Sequence, residues 1–302
     1  MKVSNDISFS HNNACVVALG CFDGVHLGHV SVINTAIQKA KDMGLSSCVW
    51  SFAEPPKKFY SPQPVSVITD SKVKEELISD LGVDIYLSIP FNKNIASISP
   101  EDFFYGILID KLKASVLVCG ADFTFGKGGK GNINTLRSLC ENNSVELISV
   151  PSVSVDSHPV SSSAIRTHLT DGNIDMASAL LGRPYSIKTK VTKGKQLGKT
   201  LGFPTINQTV DKGICLPANG VYLTKVILDK PYHAITNIGT QPTVGGESII
   251  CETHIFDYVG DLYGQEVEVQ FLKFIRKINK FSSIDELKSQ IARDIKIAKN
   301  LI

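Results

Sequence analysis

The sequence predicts a two-domain α/β protein, with a parallel-sheet domain followed by a β-rich domain and a C-terminal helix. Its length of 302 residues corresponds to two domains at roughly 150 residues each. Up to about residue 182, short apolar runs alternate with helical patterns. From Tyr185 to about Phe274 the runs become short, β-rich and punctuated by Gly, Pro and Asn.

Composition excludes several other classes of protein. The formal charge is +2, and a 43% hydrophobic content excludes a disordered chain. The longest apolar run, residues 14–22, is far shorter than the roughly 20 residues of a membrane span. Seven cysteines without a CxxC pair indicate neither a zinc site nor a disulfide framework. We therefore expect a soluble cytoplasmic protein with no nucleic-acid or membrane partner. Composition by itself does not indicate what the protein does.

The first domain is predicted element by element from its hydrophobic periodicity. The run ACVVALG (14–20) predicts a buried strand, and apolar positions from Val30 to Met43 predict a helix that stops at Gly44. Short strands without polar alternation suit a parallel sheet covered on both faces, as in a Rossmann-type nucleotide domain. The further predicted strands are 48–52, 83–89, 116–120 and 145–150, and the further helices are 72–82, 100–113, 134–143, 161–172 and 173–182.

The second domain is predicted to be an antiparallel barrel or sandwich closed by an amphipathic helix. Its β-rich runs are YSIKTKV, GVYLTKVIL, HAITNIG, CETHIFDY and EVEVQFL. Apolar residues from Ile284 to Ala298 share one helical face, and Ser283 with Glu286 forms a capping box. We place the boundary after Gly182, so the predicted domains are 1–182 and 183–302.

The turn after the first strand carries a candidate triphosphate site, GCFDGVHLGH (20–29). Gly20 and Gly24 allow close backbone approach, and His26 and His29 project from one face at a helix N-terminus. Free backbone N–H groups and two donor rings suit a phosphate chain. The alternative is a helix that merely carries two surface histidines.

Two later segments have the chemistry of anion pockets. Residues 126–131 contain four Gly and two Lys, which predicts a flexible cationic loop able to fold over phosphates. Residues 161–166 place three hydroxyl groups and the Arg166 guanidinium around a helix start. The alternatives are a solvated hairpin and an ordinary capped helix with an exposed arginine.

These motifs resemble those of one family. GCFDGVHLGH resembles the HxGH motif of nucleotidyltransferases, in the form used by prokaryotic bifunctional riboflavin kinase/FMN adenylyltransferases (FAD synthetases). GADFTFGKGGKG (120–131) and VSSSAIR (160–166) resemble two further motifs of that family. The resemblance implies that His26, His29 and Arg166 hold the phosphates of ATP, assisted by Ser162. It also implies nucleotide- and flavin-binding roles for Gly20, Phe22, Asp23, Gly24, Asp122, Phe125, Gly126 and Ser161.

A second candidate site lies in a stretch without acidic residues between Asp175 and Asp211. This stretch contains Arg183, Lys188, Lys190, Lys193, Lys195 and Lys199. Within GKQLGKTLGFPTIN (194–207), three glycines, Gly194, Gly198 and Gly202, permit close approach to phosphates. Thr205 and Asn207 offer two hard oxygens for Mg²⁺. The alternative is a basic β-hairpin with a proline turn.

This string resembles the riboflavin kinase signature, and PANGVY (217–222), TNIGTQPT (236–243) and ETHIFDYVGDLYG (252–264) resemble later motifs of the same family. The resemblance implies an antiparallel β-barrel, binding roles for Pro204 and Asn237, and Glu252 as the base. A neutral alcohol must lose its proton, whereas a phosphate nucleophile is already an anion. The alternative for Glu252 is a solvent-facing strand residue.

The resemblance has departures and implies a function. Cys21, Thr189, Gln241, Val244 and the segment SFAEPP (51–56) differ from the usual family residues; in the last of these a histidine is replaced. The expected activity is phosphorylation of riboflavin to FMN, then adenylylation of FMN to FAD with release of pyrophosphate, using Mg²⁺ and ATP. The alternatives are an enzyme with one active half, the adenylyltransferase being the more vulnerable, or a non-catalytic flavin or nucleotide sensor.

Overall fold

In a computed structural model the chain forms two compact units, Met1–Ser162 and Ser163–Ile302. The structure describes residues 1–61, 65–194, 197–211, 213–243 and 246–302. Lys195 and Val244 lie outside the described residues. Within the described ranges, no helix has both the length and the apolar character that crossing a membrane requires. The segment 163–182, which the sequence assigns to the first domain, belongs to the second of these units.

The first unit is built on a six-stranded parallel sheet, as predicted, with the order β1-β4-β3-β2-β5-β6. A separate two-stranded hairpin, β7 with β8, follows it. The strands are β1 (Lys2–Ser4), β2 (Cys15–Leu19), β3 (Ser46–Phe52), β4 (Ile85–Ile89), β5 (Ala114–Gly120), β6 (Glu146–Val150), β7 (Ser154–Val155) and β8 (His158–Pro159). The edge strand β1 and the hairpin were not anticipated from periodicity, because two or three residues are too short to show a period.

Helices cover both faces of this sheet. Cys15, Val17 and Leu19 of β2 belong to one core cluster, and Val16 and Ala18 belong to the other. Every residue of β2 is therefore buried, which explains an apolar run without alternation. The helices are α1 (Leu27–Met43), α2 (Pro56–Tyr60), α3 (Ser71–Asp80), α4 (Lys93–Ser97), α5 (Pro100–Asp102) and α6 (Ile133–Glu141).

The helix expected over 100–113 has a different form in the structure. Ser99 caps it as predicted, accepting the Asp102 N–H at 2.9 Å. After α5, however, residues Phe103–Ile109 continue as a π-helix, and β5 already begins at Ala114. This segment buries Phe103, Phe104, Ile107 and Leu108 in the core beside the sheet. Their spacing is that of one face of an ordinary helix, so the buried face agrees with the prediction and the hydrogen-bond pattern differs from it.

The second unit is a closed antiparallel barrel with the strand order β10-β13-β12-β11-β14-β9. Its strands are β9 (Tyr185–Thr192), β10 (Ile206–Val210), β11 (Gly220–Ile227), β12 (Pro231–Thr243), β13 (Gly246–Ile255) and β14 (Glu266–Arg276). Its helices are α7 (Ser162–Thr170), which starts at the last residue of the first unit, α8 (Ile174–Leu181), α9 (Leu197–Leu201) and α10 (Ile284–Asn300). Because the sheet closes on itself, the second unit is a barrel and not a sandwich. The sequence periodicity did not distinguish these two architectures.

The C-terminal helix α10 packs on the outside of the barrel. Ala298 is buried with Val221, Leu223, Ile235 and Phe256 in one cluster. The Ser283 hydroxyl caps the helix, accepting the Glu286 N–H at 3.1 Å. The Glu286 carboxylate returns the bond to the Ser282 N–H at 2.8 Å, one residue earlier than in an ideal capping box.

Candidate active sites

The turn after β2 brings His26 and His29 together at the start of α1. His26 is the N-cap residue, and its Nδ1 accepts the backbone N–H of His29 at 3.2 Å. The two rings stack with centroids 3.5 Å apart and 17° between their planes. Because Nδ1 is the acceptor, the neutral His26 ring carries its proton on Nε2. A donor ring therefore stands at a helix N-terminus, where the helix dipole favours an anion.

The backbone that delivers His26 is strained. Phe22, Gly24 and Val25 have φ angles of 50°, 85° and 39°, in the left-handed region. For the two residues with side chains this costs roughly 1–3 kcal/mol each, so neighbouring contacts must hold the loop. The Phe22 ring is 1% exposed and lies so close to Gly20 that a Cβ there would come within 2.7 Å of it.

Asp23 is one of the groups that hold this loop from inside. It is 4% exposed, and its Oδ1 accepts the backbone N–H groups of Ile68 at 2.9 Å and Thr69 at 3.4 Å. Its carbonyl oxygen accepts the Ser162 hydroxyl at 2.9 Å. Asp23 and Ser162 are therefore brought together, although 139 positions apart in sequence.

Sequence reasoning missed Lys74, which lies in α3 and is 2% exposed. Its Nζ donates to the carbonyl oxygens of Phe52 at 2.5 Å and Ala53 at 3.3 Å, at the end of β3. A signal was present in the sequence, because Lys74 occupies the same helical face as the buried Ile78. A lysine on the apolar face of a helix is unusual enough to single out.

The segment that departs from the family, residues 51–56, begins in the last two residues of β3. Pro56 is the first residue of the short helix α2, and Pro55 is its N-cap. Glu54 forms an ion pair with Lys58 at 2.6 Å, one turn along. Cys21, the other departure here, is exposed, whereas the other six cysteines are buried; its carbonyl oxygen accepts the Ser51 hydroxyl at 2.9 Å.

The glycine-rich segment 120–131 is a hairpin with an anchored base and an exposed tip. Phe125 and Gly131 exchange two backbone hydrogen bonds of 2.9 Å, and the Lys127 N–H donates to Ile98 at 2.7 Å. Phe125 is 6% exposed, and a Cβ on Gly126 would lie 2.7 Å from Pro100. The exposed tip, residues 127–130, carries both lysines of the segment. Of the loop predicted to fold over phosphates, residues 126–131, the tip 127–130 is therefore the exposed part, whereas Gly131 is buried.

The other two predicted phosphate-binding elements differ in what the structure shows. Asp122 is exposed and lies after β5, with its Oδ1 3.0 Å from the position of a Cβ on Gly120. Ser161 precedes α7, and Arg166 lies one turn after Ser162 within that helix. Arg166 belongs to the second unit and His26 to the first, so their approach remains a prediction.

In the barrel, strand register brings Asn207, Glu252 and Asn237 into one row. Glu252 of β13 is the direct partner of Asn207 in β10 and of Asn237 in β12. Direct partners in antiparallel strands have Cβ atoms roughly 5 Å apart on one face. A pocket of about 180 Å³ on this face is lined by Thr192, Lys193, Gly194, Asn207, Thr209, Ile250 and Glu252. Sequence reasoning found three of these residues as binding or catalytic groups, and missed Thr192, Thr209 and Ile250, which come from strands that only folding makes neighbours.

Two glycines of the predicted phosphate loop are required by close approach. A Cβ on Gly194 would lie 2.4 Å from Cγ of Asn207, and a Cβ on Gly198 would lie 2.5 Å from the Phe203 carbonyl oxygen. Gly202 has a φ of 88°, which favours glycine. A Cβ on Gly198 would also lie 3.1 Å from the hydroxyl oxygen of Thr205. Thr205 itself is not among the residues lining the described pocket.

Pro204 is held by a residue from β13. The carbonyl oxygen of Pro204 accepts Nδ1–H of His254 at 2.8 Å, and the His254 ring meets Phe203 edge-on with centroids 5.8 Å apart. Since His254 is two residues after Glu252, both side chains leave β13 on the same face. The turn before Thr205 is therefore tied to the strand that carries Glu252.

The stretch without acidic residues is partly neutralised by another strand. Register in the barrel places Glu268 opposite Lys188 and Glu266 opposite Lys190. Burial lowers the pKa of Arg183 to about 10, and attraction to Glu268 opposes that shift. Of the six cations in this stretch, Lys193 lines the pocket; Lys195 and the side chain of Lys199 lie outside the described part of the chain.

The backbone of Thr189, another departure, binds a buried glutamine of the barrel. Its carbonyl oxygen accepts Nε2 of Gln208 at 3.0 Å, and Gln208 is fully buried. The Thr189 hydroxyl has no hydrogen-bond partner among the described residues. The departure at Gln241 lies in β12, on backbone that the structure describes.

Comparisons with known proteins match both halves of the chain. A family model described as FAD synthetase matches residues 8–164, and one described as riboflavin kinase matches residues 181–302. The bifunctional riboflavin kinase/FMN adenylyltransferase of Escherichia coli K12 is 33% identical over 96% of this chain and 93% of its own length. The protein of the same description from Bacillus subtilis is 36% identical over 92% of this chain and 90% of its own.

A solved structure extends the likeness to the whole fold. The crystal structure described as a macrolide-efflux protein from Streptococcus pneumoniae has a TM-score of 0.89 and 32% identity, and covers 99% of this chain and 98% of that chain. Its description concerns that protein alone. The fold, by contrast, is shared nearly from end to end.

Proposed function

Since the chain belongs to the family of bifunctional riboflavin kinase/FMN adenylyltransferases, we propose that its two sites act in sequence on one flavin. The enzyme transfers the γ-phosphoryl group of ATP to riboflavin, giving FMN and ADP. It then transfers the adenylyl group of a second ATP to FMN, giving FAD and pyrophosphate. The observation that carries this conclusion is the presence of both family matches in one chain, each over a unit with its own candidate site.

In the kinase half, we assign the base to Glu252. The attacking group is a neutral ribityl hydroxyl, which needs a proton acceptor within hydrogen-bond reach. Glu252 lines the pocket together with Lys193 and Gly194, so its carboxylate borders the space where the phosphoryl group would be transferred. The row with Asn207 and Asn237 supports this assignment, because both amides flank the carboxylate across the sheet.

Mg²⁺ fits the same pocket through the chemistry of its donors. The described residues contain no cluster of three His, Cys, Asp or Glu that would hold a metal by itself. Mg²⁺ instead takes one or two protein oxygens and completes its shell with water and phosphate oxygens. The pocket residue Asn207, 8% exposed and closed in by Gly194, would supply one protein oxygen. Thr205, which stands just before β10 outside the described lining, would supply a second. When bound, the ion neutralises charge on the transferred phosphate.

In the adenylyltransferase half, no base is needed, because the phosphate of FMN is already an anionic nucleophile. Catalysis then consists of positioning and of neutralising the pentavalent phosphorus and the departing pyrophosphate. We assign this to His26, His29 and Arg166, with Ser161, Ser162 and the exposed tip 127–130 assisting. The buried side chains of Phe22, Asp23 and Phe125 shape the site, and the backbone of Gly20, Gly24 and Gly126 allows close approach.

An edge-to-face series of aromatic rings near the end of β3 is suited to the flavin ring. Phe52 lies 5.0 Å from Phe91 between ring centroids, and Phe91 lies 5.4 Å from Phe59. Phe59 and Tyr60 are 43% and 57% exposed. Exposed aromatic faces beside a phosphate site favour a planar heteroaromatic ligand. Asp122 follows the end of β5, which is two strands away from β3 in the same sheet.

We place the functional boundary at 182/183, where α8 ends in Gly182 and the barrel begins with Tyr185. The riboflavin kinase match begins at residue 181 and the FAD synthetase match ends at residue 164. The segment between them, with α7 and α8, would carry Arg166 to the adenylyltransferase site. Most of this segment belongs to the second unit, and we propose that it links the adenylyltransferase half to the kinase half.

The test is incubation of the purified protein with riboflavin, ATP and Mg²⁺, followed by separation of the flavins. We expect FMN to form first and FAD to follow, and FMN supplied directly to give FAD. FMN that accumulates without FAD would show a single-activity kinase. Flavin binding without turnover would contradict the proposed function altogether.

A further inference from the structure

Lys74 carries a buried positive charge in the first unit, and neither the sequence motifs nor the proposed reaction uses it. It is 2% exposed, whereas a lysine is almost never fully buried without compensation. Two of its three N–H donors are directed at carbonyl oxygens, those of Phe52 and Ala53. Phe52 is the last residue of β3, and both residues lie within the 51–56 segment.

An opposing charge comes from the loop that follows β2. The Cys21 carbonyl oxygen of this loop accepts the hydroxyl of Ser51 at 2.9 Å, and the next carbonyl of β3, that of Phe52, binds Lys74. Burial lowers the pKa of Lys74, and attraction to Asp23 is the largest contribution that opposes this shift. Asp23 is itself 4% exposed. Each charge would be costly alone in a site of low dielectric, and each reduces the cost of the other.

Asp23 lies within the strained part of that loop. It stands between Phe22 and Gly24, both with positive φ, and three residues before His26. Its carboxylate and carbonyl groups bind Ile68, Thr69 and Ser162. Whatever holds the Asp23 carboxylate in place therefore fixes the backbone that presents His26 and His29.

We propose that Lys74 is a positioning residue for adenylyl transfer. Its ammonium group holds the end of β3, to which the loop 20–26 is bound, and offsets the buried charge of Asp23, and so it fixes the histidine pair. This inference rests on the proposed function of the first unit. Lys74 touches no substrate in this arrangement; it acts through Asp23 and the loop 20–26.

The test uses Lys74→Met, which keeps the length and packing of the side chain and removes its charge. We expect kcat for FMN adenylylation to fall by roughly 10²-fold, as small displacements of aligned groups do, with KM for ATP and FMN changed severalfold at most. Riboflavin kinase activity of the same protein should stay within twofold. Lys72→Met is the matched control, because Lys72 is exposed on the same helix, and it should leave both activities unchanged.

A double variant separates positioning from simple structural damage. Asp23→Asn leaves Lys74 buried without its counter-charge, and Lys74→Met does the same to Asp23, so combining them removes both charges. We expect Lys74→Met/Asp23→Asn to recover at least tenfold in kcat over Lys74→Met alone. Losses that simply multiply in the double variant would overturn the proposal, because independent effects are additive in free energy.

Folding of the variants is monitored by Trp50, the single tryptophan of the chain, which is buried in β3 two residues before Phe52. Its native emission in Lys74→Met, together with lost adenylylation, supports the proposal. Native emission with unchanged adenylylation overturns it. If Trp50 shows that Lys74→Met is unfolded, the double variant decides: recovery of native emission supports the charge pairing, and its absence contradicts it. An unmutated protein that makes FMN but no FAD would instead contradict the proposed function of this unit.

Discussion

Arg276 of β14 and Asp294 of α10 form a bidentate ion pair that fastens the C-terminal helix to the barrel. Nε donates to Oδ1 at 2.9 Å, and Nη2 donates to Oδ2 at 2.7 Å. Asp294 is 1% exposed and also accepts Nε2 of Gln290 at 2.8 Å. The two charges are thus paired in good geometry. Under that condition a buried ion pair does not destabilise the fold.

Asp294→Ala should therefore destabilise the second unit by about 3 kcal/mol, because it leaves the Arg276 guanidinium largely buried without a partner. The measurement is the denaturant concentration at which half of the riboflavin kinase activity is lost. Asp285→Asn, an exposed acid at the start of the same helix, serves as the control and should shift stability by less than about 1 kcal/mol. Equal midpoints for Asp294→Ala and the unmutated protein would contradict the clamp.

His26→Asn should abolish conversion of FMN to FAD while leaving the helix start intact. Asparagine is a good N-cap, so it replaces the acceptor for the His29 N–H but not the imidazole. We expect a loss of roughly 10²–10⁴-fold in kcat/KM with kinase activity unchanged. His26→Ala, which loses the cap as well, should be equally inactive but less stable. Full activity of His26→Asn would show that only the cap matters.

Glu252→Gln should impair the kinase reaction and spare the adenylylation reaction, the reverse of the effect expected for His26→Asn. The amide keeps the size of the side chain but accepts no proton, so phosphorylation of riboflavin should fall by roughly 10²–10⁴-fold. Adenylylation of supplied FMN should be unaffected, because that nucleophile needs no base. Assaying the two reactions separately checks this. Loss of both in a folded variant would argue against two independent sites.

Gly194→Ala should impair the kinase through crowding of Asn207. The new Cβ would lie 2.4 Å from Asn207 Cγ, so the amide must move away from the position proposed for Mg²⁺ binding. We expect at least a tenfold loss in kinase kcat/KM, with a raised Mg²⁺ requirement. Gly239→Ala in β12, whose Cβ would meet Ile278 at an ordinary 3.5 Å, is the matched control. A normal Mg²⁺ titration of Gly194→Ala would contradict the assignment.

Cys21 should be the cysteine that reacts in the native protein, and only in strong alkali. It is the exposed thiol among seven, yet desolvation raises its pKa to about 11. A raised thiol pKa means that the reactive thiolate is scarce at neutral pH. The alkylation rate should therefore climb about tenfold per pH unit well beyond pH 9, where an ordinary thiol levels off. Cys21→Ser should remove this phase, and a plateau near pH 9 would contradict the expectation.

The sequence alone determined the division into a parallel-sheet half and a β-rich half, most element positions, and the family. These follow from local patterns: β2 is apolar throughout because both its faces are covered, and the spacing of His26 and His29 places both at the start of α1. The glycines at 194 and 198 were identified for the same reason, since close approach imposes a residue type.

Only the tertiary structure decided which distant groups meet. Barrel register set Asn207 and Asn237 on either side of Glu252, and it set Glu266 and Glu268 against lysines that appear unopposed in the sequence. Burial showed that Asp23 supports its loop from inside and that Lys74 lies beneath the end of β3. A linear pattern reports what each residue is and how its neighbours repeat. It does not report the field of charges around it, because that field comes from strands and helices that are neighbours only after folding.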